Sequence, residues 1–478
     1  MRPMIRPTTA VVVVYVAAIF LSTMDTTIVN VALPSIGDAF SVPSTSVDSI
    51  TISFLVSLAV FIPASGWLGD RFGGKRILLV AIAIFTGASV LCGLASSLGE
   101  LVAYRILQGL GGGMLAPVGM AMVLRSFAPA ERVRALSTIT IATALAPTIG
   151  PTLGGLLVTN LSWHWVFFVN APVGVCAFVF ALLFVRDVGE RRAEPFDVAG
   201  FVLSAAGLGL LMYGISEGPD LGWTAVPVLL SVPVGAVLLT AMVLFELRRR
   251  APMIDIGLFR DRLFRSSTTV MTVESVAFLG AVYTVSLYLQ DGRGLSPLVA
   301  GMSILPQAFG VMLGSQIASR LLYPRLGPRV VMAGGVAGTG LFIALLGSLA
   351  PGSTLWCVWV LLLCMGLSVG HVFVSTQAAA FATISQASSG RASTIFNVGR
   401  RLGGALGIAA ATTTMVLVEA GSPGATRAGD VSTYRVAFLV VAALALLAVW
   451  PALAARDSDA ATTVPASGRS PAAAADTR

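Results

Sequence analysis

The chain opens with an apolar stretch at residues 11–33, VVVVYVAAIFLSTMDTTIVNVAL, followed by Pro34. A helix needs about 20 mostly apolar residues to cross the hydrocarbon core of a bilayer, so this stretch predicts a membrane-spanning helix. It is too long for a signal peptide and has no small-residue cleavage site, so we expect it to remain as a span. Asp25 interrupts the stretch. A carboxylate inside a membrane helix is a functional candidate, because burying its charge is costly.

The composition of the whole chain indicates a membrane protein. Of its 478 residues, 56% are hydrophobic and 11% are charged, whereas soluble domains have roughly 45–50% and 25%. The cysteines fall inside apolar runs without metal-ligand spacing, so we expect neither disulfides nor a metal site. The predicted spans are residues 11–33, 47–69, 77–97, 101–124, 135–158, 164–185, 197–216, 224–246, 266–290, 298–321, 330–350, 354–378, 391–418 and 433–454.

The basic residues orient these fourteen spans. Twenty-four of the 30 Lys and Arg residues lie in segments that the topology places on one side of the membrane. Cytoplasmic loops carry such an excess, so the pattern predicts that both termini are cytoplasmic in a cell-membrane protein. Because the basic residues sit between apolar runs rather than on one face, we expect no nucleic-acid partner. Residues 456–478 are rich in Ala, Thr, Ser and Pro and predict a disordered cytoplasmic tail.

Two pairs of segments repeat at nearly the same offset. DRFGGK at 70–75 matches PRLGPR at 324–329 with an offset of 254, and Gly150 in the small-residue ladder at 142–154 matches Gly403 in the ladder at 399–411 with an offset of 253. Duplicated halves are common in carriers. We therefore predict an all-α membrane protein with helices arranged as six, two and six in two pseudo-symmetric bundles. The predicted domains are a bundle at 1–190, two inserted helices with flanking loops at 191–262, a second bundle at 263–455 and the tail.

Asp25 and Arg105 form the first candidate site, because both are predicted to lie in the outer half of the membrane. A carboxylate about 8 residues, or roughly 12 Å, from the end of its helix must be paired, protonated or hydrated. Burial raises the pKa of a carboxyl group and a nearby cation lowers it, so such a pair can exchange a proton as its surroundings change. The alternatives are that Asp25 only hydrogen-bonds neighbouring helices and that Arg105 extends to the outer interface.

The segment GWLGDRFGGKR at 66–76 predicts a specialised turn between two spans. Its glycines permit a tight turn and close helix approach, and Asp70 can cap the next helix or pair with a basic residue. A loop that only orients the protein would need the basic residues alone. The candidate cytoplasmic gate comprises Gly66, Asp70, Arg71, Gly73, Lys75 and Arg76.

A small-residue ladder lies in the span predicted at 135–158. Small residues at four-residue spacing let two helices pack closely, and prolines add bends. Packing alone is one interpretation, and a hinge or ion seal at the interface of the two bundles is the other. The residues concerned are Pro147, Gly150, Pro151, Gly154 and Gly155.

These motifs, in this order, resemble those of the major facilitator superfamily, and specifically its fourteen-helix drug:proton antiporters of the EmrB and QacA type. The resemblance extends to WHWVFFVNAP at 163–172, FDVAG at 196–200, LFR at 258–260 and RLGGALG at 401–407. It implies the major facilitator fold, with Asp25 and Arg105 in proton coupling. It also implies that Asp70 and Arg71 belong to a cytoplasmic latch, and that the span at 135–158 prevents uncoupled leak.

The chain departs from that family pattern at several positions. Ser49 and Phe54 stand where the family commonly has Trp and Tyr, and His164 stands where Arg is usual. These changes imply altered substrate contacts at the outer end of the second span. Arg400 and Arg401 form a pair where the family more often shows one Arg followed by Gln, and the sequence assigns the extra charge no role.

Polar residues within the spans are candidates for substrate binding. Glu274, at a different depth from Asp25, can bind a cationic substrate or a second proton, or be a hydrated carboxylate near the cytoplasmic mouth. His371 can titrate near neutrality or hydrogen-bond between helices, and Asn397 is expected to be an interhelical hydrogen-bond partner. The substrate-binding candidates are Asp25, Phe54, Glu274, Tyr283, His371 and Asn397.

The sequence therefore predicts a proton-driven exporter of small amphipathic or cationic organic compounds, such as antibiotics, dyes or biocides, that works by alternating access. An ion gradient is the expected energy source because the chain has no Gly-x-x-x-x-Gly-Lys-Ser/Thr loop. No set of nucleophile, base and orienting residue is evident, so we expect neither an enzyme nor a cofactor. The alternatives are a narrow-specificity exporter or importer of one metabolite or antibiotic, and a non-transporting membrane sensor. The sequence is compatible with a monomer.

Overall fold

The computed structural model describes residues 6–187, 195–249, 252–350, 352–421, 432–460 and 463. The predicted boundary between residues 190 and 191 and most of the predicted tail at 456–478 lie outside these residues. The described residues form helices and no strand. The helices are α1 Pro7–Phe40, α2 Ser44–Phe72, α3 Gly74–Gly93, α4 Leu98–Ser126, α5 Pro129–Asn160, α6 Trp165–Phe168, α7 Asn170–Phe184, α8 Val198–Leu221, α9 Val226–Glu246, α10 Arg262–Leu287, α11 Pro297–Ile317, α12 Tyr323–Ser348, α13 Leu355–Ala380, α14 Ser389–Gly421, α15 Ser432–Leu447 and α16 Val449–Ala454.

Several helices begin at side-chain caps that the sequence supplies. Ser97 accepts a hydrogen bond from the main chain of Glu100 at the start of α4. Asp197 and Asp261 do the same at the starts of α8 and α10, with N···O distances of 3.0 and 2.8 Å. Such caps satisfy main-chain donors that have no partner inside the helix. The aspartate of the FDVAG segment is therefore a helix cap.

Twelve helical stretches in the described parts of the chain are long and apolar enough to cross a membrane. One of them, Val299–Ser348, covers most of α11 and all of α12, while α5, with 32 residues, is not among the twelve. The protein is thus an all-α, multi-pass membrane protein, as predicted. The count of fourteen spans and the arrangement of six, two and six remain predictions.

The helices α8 and α9, which were predicted to be an insertion, pack against each other. On its other side α8 contacts both α2 and α14. The outward face of α9 is strongly apolar, with Leu230 and Val237 exposed by 60% and 66%. A contiguous apolar surface of this kind is unfavourable in water. We conclude that this face of α9 contacts lipid.

The two loops matched by the repeat have the same local geometry. Gly73 and Gly327 have φ angles of 95° and 74°, which glycine adopts much more readily than other residues. Two residues after Gly73, the main-chain N–H of Lys75 donates to Asp187 Oδ1. Two residues after Gly327, the main-chain N–H of Arg329 donates to Asp457 Oδ1 in the same way. The structural match supports the duplication that the sequence predicts.

Candidate functional site

A buried charge cluster joins α1, α4 and α7. Arg105 Nη1 donates to Asp25 Oδ2 at 2.5 Å, and both side chains are 0% exposed. Gln108 Nε2 and Asn170 Nδ2 donate to Asp25 Oδ1 at 2.9 and 2.8 Å. A buried carboxylate needs such partners because its desolvation is costly. The structure therefore brings Asp25 and Arg105 together, and three side chains hold the carboxylate.

Arg105 points into the protein rather than towards the outer interface. Its Nε donates to the carbonyl of Ile50 at 3.2 Å, and its Nη1 also donates to Gln108 Oε1 at 2.6 Å. The guanidinium carbon lies 4.1 Å from the ring centroid of Phe54 and 5.9 Å from that of Phe167. A guanidinium group is attracted to the face of an aromatic ring. Phe54 therefore packs against the guanidinium of this cluster. The alternative that Arg105 extends to the outer interface is wrong.

Sequence reasoning missed three members of the cluster. Gln108 lies one helical turn after Arg105, which places both side chains on one face of α4. Asn170 lies in the WHWVFFVNAP segment, and its Nδ2 also donates to Ser89 Oγ at 3.1 Å. Ser89 in turn donates to the carbonyl of Phe167 at 2.9 Å. Polar residues inside the apolar runs were the available signal for Gln108 and Ser89.

The glycine ladder of α5 packs beside this cluster. A Cβ atom at Gly150 would lie 2.1 Å from Thr27 Oγ1, and one at Gly154 would lie 2.9 Å from the carbonyl oxygen of Ile28. Both contacts fall within three residues of Asp25 on α1. The ladder thus lets the backbone of α5 approach α1 where α1 carries its carboxylate, as small residues permit in membrane helices.

The remaining residues of that motif have no described contact at the cluster. Pro147 and Pro151 lie within α5, but their side chains are not among those that the structure describes. A Cβ atom at Gly155 would have no neighbour within 4 Å.

The candidate gate connects the two halves of the chain through Arg125. Asp70 forms an ion pair with Arg125 Nη2, so of its two predicted alternatives the structure selects pairing. Arg125 Nε donates to Ser389 Oγ at 2.9 Å and to the carbonyl of Gln386 at 3.3 Å. A Cβ atom at Gly390 would lie 3.0 Å from Asp70 Oδ1. The start of α14 is therefore held against α2 and α4.

Two further hydrogen bonds connect the halves at the same end of the molecule. Arg132 Nη1 donates to the carbonyl of Phe381 at 2.9 Å. Ser393 Oγ donates to the carbonyl of Pro117 at 3.0 Å. We call this end, which carries Arg71, Lys75, Arg76, Arg125 and Arg132, the basic end. It is closed by direct contact between the two halves in this conformation.

Other gate residues shape the turn itself. A Cβ atom at Gly66 would lie 2.8 Å from Thr394 Oγ1, so this glycine permits close packing of α2 on α14. Gly73 provides the positive φ angle, and Lys75 Nζ donates to the carbonyl of Leu182 at 2.8 Å. The structure leaves Arg71 and Arg76 exposed.

Glu274 lies inside the second half of the chain with 0% exposure. Its Oε1 accepts a hydrogen bond from Thr339 Oγ1 at 2.9 Å, and its Oε2 has no partner among the described residues. It does not lie at an open mouth in this conformation. Gly154 lies against the main-chain carbonyl of Ile28, three residues after Asp25. Gly407 lies against that of Val276, two residues after Glu274. Gly150, however, lies against Thr27, after Asp25, whereas Gly403 lies against Thr272, before Glu274, so the predicted difference in depth stays a prediction.

The histidines and Tyr283 occupy separate places. His371 Nε2 is buried without a partner in the described chain, and its Cβ lies near Gly335 of α12. Tyr283 is half-buried on α10 against the apolar core. His164 stacks on Trp163 with a centroid distance of 3.7 Å. Burial lowers the pKa of the His164 imidazole, which favours its neutral form.

A narrow cavity lies between the two halves, where α1, α4 and α5 meet α13 and α14. Of the six substrate-binding candidates, Asn397 lines it, whereas Asp25, Phe54 and Glu274 are completely buried elsewhere. The cavity has little free space in this conformation. Its lining residues are Tyr15, Ile19, Met120, Ile139, Thr140, Thr143, Phe373, Gln377, Phe396, Asn397 and Arg400.

Residues 15–408 match the model of the Major Facilitator Superfamily. A "Multidrug resistance protein B homolog" of Mycobacterium tuberculosis is 33% identical over 404 residues, which cover 83% of this chain and 74% of that protein. The "Multidrug resistance protein Stp" of the same species is 32% identical over 392 residues, 82% of this chain and 73% of that protein. A "Putative multidrug resistance protein MdtD" of Pectobacterium carotovorum is 32% identical over 348 residues, 73% of this chain and 74% of that protein.

Two solved structures share the fold at low sequence identity. The human organic anion transporter MFSD10 (TETRAN) aligns with a TM-score of 0.65 and 16% identity, covering 94% of this chain and 100% of that chain. The proton:xylose symporter XylE aligns with a TM-score of 0.62 and 13% identity, covering 93% of this chain and 94% of that chain. The predicted major facilitator fold is confirmed.

Proposed function

The chain belongs to the major facilitator superfamily, and from that premise we propose that it exports small organic compounds by drug:proton antiport across the cell membrane. Relatives named multidrug resistance proteins support amphipathic or cationic antibiotics, dyes or biocides as its substrates. Transport by a membrane carrier, rather than catalysis, is then its activity.

The arrangement around Asp25 carries the proposal for proton coupling. The carboxylate on α1 is bonded to Arg105 and Gln108 on α4 and to Asn170 on α7. Protonation removes the charge that holds Arg105, because a neutral carboxyl group forms no ion pair with a guanidinium. The bonds between α1, α4 and α7 therefore depend on the proton. This dependence can couple proton binding to helix movement.

Alternating access requires the two bundles to rock about a site between them. We propose that the basic end faces the cytoplasm, since basic segments favour that side. Opening there requires Arg125 and Arg132 to release Ser389 and the carbonyl of Phe381. The proposed architecture has fourteen spans in a monomer, with both termini cytoplasmic and with the domain boundaries predicted above.

The test is export by a pump-deficient bacterium expressing the chain, measured as growth on a panel of antibiotics, dyes and biocides. Wild type is expected to protect, and Asp25→Asn is expected to lose protection. Asp38→Asn is the matched control, because Asp38 is an exposed carboxylate on the same helix. Equal protection by wild type and Asp25→Asn would rule out coupling through Asp25.

Transport by purified protein in liposomes separates coupling from folding. With a pH gradient, Asp25→Asn should not accumulate a dye that the growth panel identifies. Without a gradient, it should still exchange labelled for unlabelled dye, because exchange needs alternating access but no proton release. If whole cells expressing the chain take up the substrate and do not export it, the protein is an importer. Absence of any transport, with the protein intact, would indicate a sensor.

A further inference from the structure

Arg400 and Arg401 are adjacent cations near the middle of α14. Inside a membrane such side chains are costly unless they are paired or hydrated. Among the described residues, Arg400 Nη2 donates to Asn397 Oδ1 at 3.3 Å, and neither arginine has a carboxylate partner. Arg105, by contrast, has Asp25. The pair therefore leaves positive charge uncompensated in the interior.

This charge lies at the cavity between the two halves. Arg400 lines the cavity directly. Arg401 follows Arg400 directly in α14 but is not among the lining residues, and Tyr15 of α1 belongs to the lining. Binding sites of carriers built from two bundles lie near the bilayer midplane at this kind of interface. Arg400 is thus placed where a transported molecule would bind.

The rest of the lining adds hydrogen-bond donors and an apolar surface, but no opposing charge. Tyr15 and Gln377 have no hydrogen-bond partner among the described residues, and both can donate. No Asp or Glu is present among the described lining residues. The apolar part consists of Ile19, Met120, Ile139, Phe373 and Phe396. A molecule that matches both parts has an anionic group on an apolar body.

We propose that Arg400 binds the anionic group, a carboxylate or sulfonate, of an amphipathic organic substrate, and that the adjacent Arg401 adds positive charge beside it. This rests on the proposed export function, and it narrows the substrate class from cationic to anionic compounds. Arginine suits this role because its planar guanidinium stays charged and matches such oxyanions with two parallel hydrogen bonds. An anion would also relieve the repulsion between the two adjacent cations.

Two compounds with one ring system and permanent opposite charges test the charge preference. They are 2-naphthalenesulfonate and (2-naphthylmethyl)trimethylammonium, and their binding to the purified full-length protein in detergent is measured by isothermal titration calorimetry. Wild type is expected to bind the sulfonate more tightly than the ammonium. Arg400→Gln should weaken sulfonate binding by about tenfold or more, as expected for loss of a charged hydrogen-bond donor, and Arg401→Gln should weaken it by a smaller factor, because it removes only a nearby charge. Neither variant should weaken ammonium binding.

Matched variants control for folding and for general charge. Arg320→Gln removes an exposed arginine from the same protein and should leave both affinities unchanged. Arg400→Lys and Arg401→Lys keep the charge and should retain part of the sulfonate affinity. If a Gln variant does not fold, as judged by its elution and thermal unfolding, the Lys variants provide the comparison. Tighter wild-type binding of the ammonium, or unchanged sulfonate binding in the variants, would overturn the proposal.

Binding is independent of the proton gradient, so the two proposals can fail separately. Export of cations alone, with no sulfonate binding, would overturn the anion site and leave the export function standing. Sulfonate binding that depends on Arg400, in a protein that exports nothing, would support the site and contradict export.

Discussion

The two halves of the molecule share a backbone design but differ in how they hold charge. In the first half, Asp25 is paired with Arg105 and accepts hydrogen bonds from two amides, and this cluster does not line the cavity. In the second half, Glu274 has one hydroxyl partner among the described residues, Arg400 and Arg401 have no carboxylate partner there, and Arg400 lines the cavity. The glycine turns and ladders recur in both halves, as the predicted duplication requires, while the charges differ. Balanced charge suits a coupling device, and unbalanced charge suits a binding site.

The largest contrast is expected between Arg105→Ala and Arg400→Ala. Removing Arg105 leaves the buried Asp25 without its cation, and breaking a buried pair costs about 3–5 kcal/mol. Arg400→Ala leaves no carboxylate without its cation and removes a repulsion from Arg401, so it should cost much less or stabilise the protein. Denaturant unfolding in detergent measures both. Equal losses would mean that the two halves do not differ in charge compensation.

A smaller difference in the free energy of unfolding is expected between alanine substitutions in the two glycine ladders. A Cβ atom at Gly403 would lie 2.2 Å from the main-chain oxygen of Thr272, whereas one at Gly150 would meet the hydroxyl of Thr27. Main chain cannot rotate away and a hydroxyl can, so Gly403→Ala should cost about 3 kcal/mol and Gly150→Ala about 1, within the range for overpacking. Gly155→Ala, with open space around it, is the control in the same unfolding assay. The reverse order would show that α5 is the more rigid contact.

The matching turns should respond alike. Gly73→Ala and Gly327→Ala each place a side chain at a positive φ angle and against the carboxylate of Asp187 or Asp457. Backbone strain of this kind costs of order 1–3 kcal/mol, and we expect about 2 at each position. Gly99→Ala, in open space within α4, is the control for thermal unfolding. A large effect at one turn alone would contradict their equivalence.

The smallest effect concerns the carboxylates at those turns. Asp187→Asn and Asp457→Asn remove a negative charge at a helix N-terminus, which should cost about 0.5 kcal/mol each at low salt. Added salt should reduce the loss, because exposed charges are screened. Unfolding at low and high ionic strength measures it. Losses that do not change with salt would assign these residues a packing role.

The sequence predicted well the features that depend on local pattern. The apolar runs predicted an all-α, multi-pass membrane protein, and the glycine spacing predicted close helix packing. The contact between Asp25 and Arg105 followed from their common depth in the membrane. Asn170, however, contacts Asp25 across 145 positions of the chain. Such a contact depends on which helices are neighbours and which faces they present, and apolar composition does not encode either.

The substrate-binding candidates show the same limit. They were chosen because polar groups in spans are unusual, but Asp25, Phe54 and Glu274 are buried between packed helices and do not line the cavity. Arg400 and Arg401 carried a visible anomaly in charge, yet its meaning depended on locating the cavity between the halves. Helix rotation about its axis decides which residues line a cavity, and it is set by tertiary packing.

The closure of the basic end has a consequence for mutational tolerance. Arg125, Arg132 and Ser393 all donate to main-chain carbonyls across the interface, those of Gln386, Phe381 and Pro117. A main-chain acceptor is present whatever side chain occupies its position, so drift at the acceptor positions preserves these bonds. Substitutions that retune the cavity can therefore accumulate on one half without dismantling the closure. Under changing selection, what such a carrier recognises is free to evolve faster than how it closes.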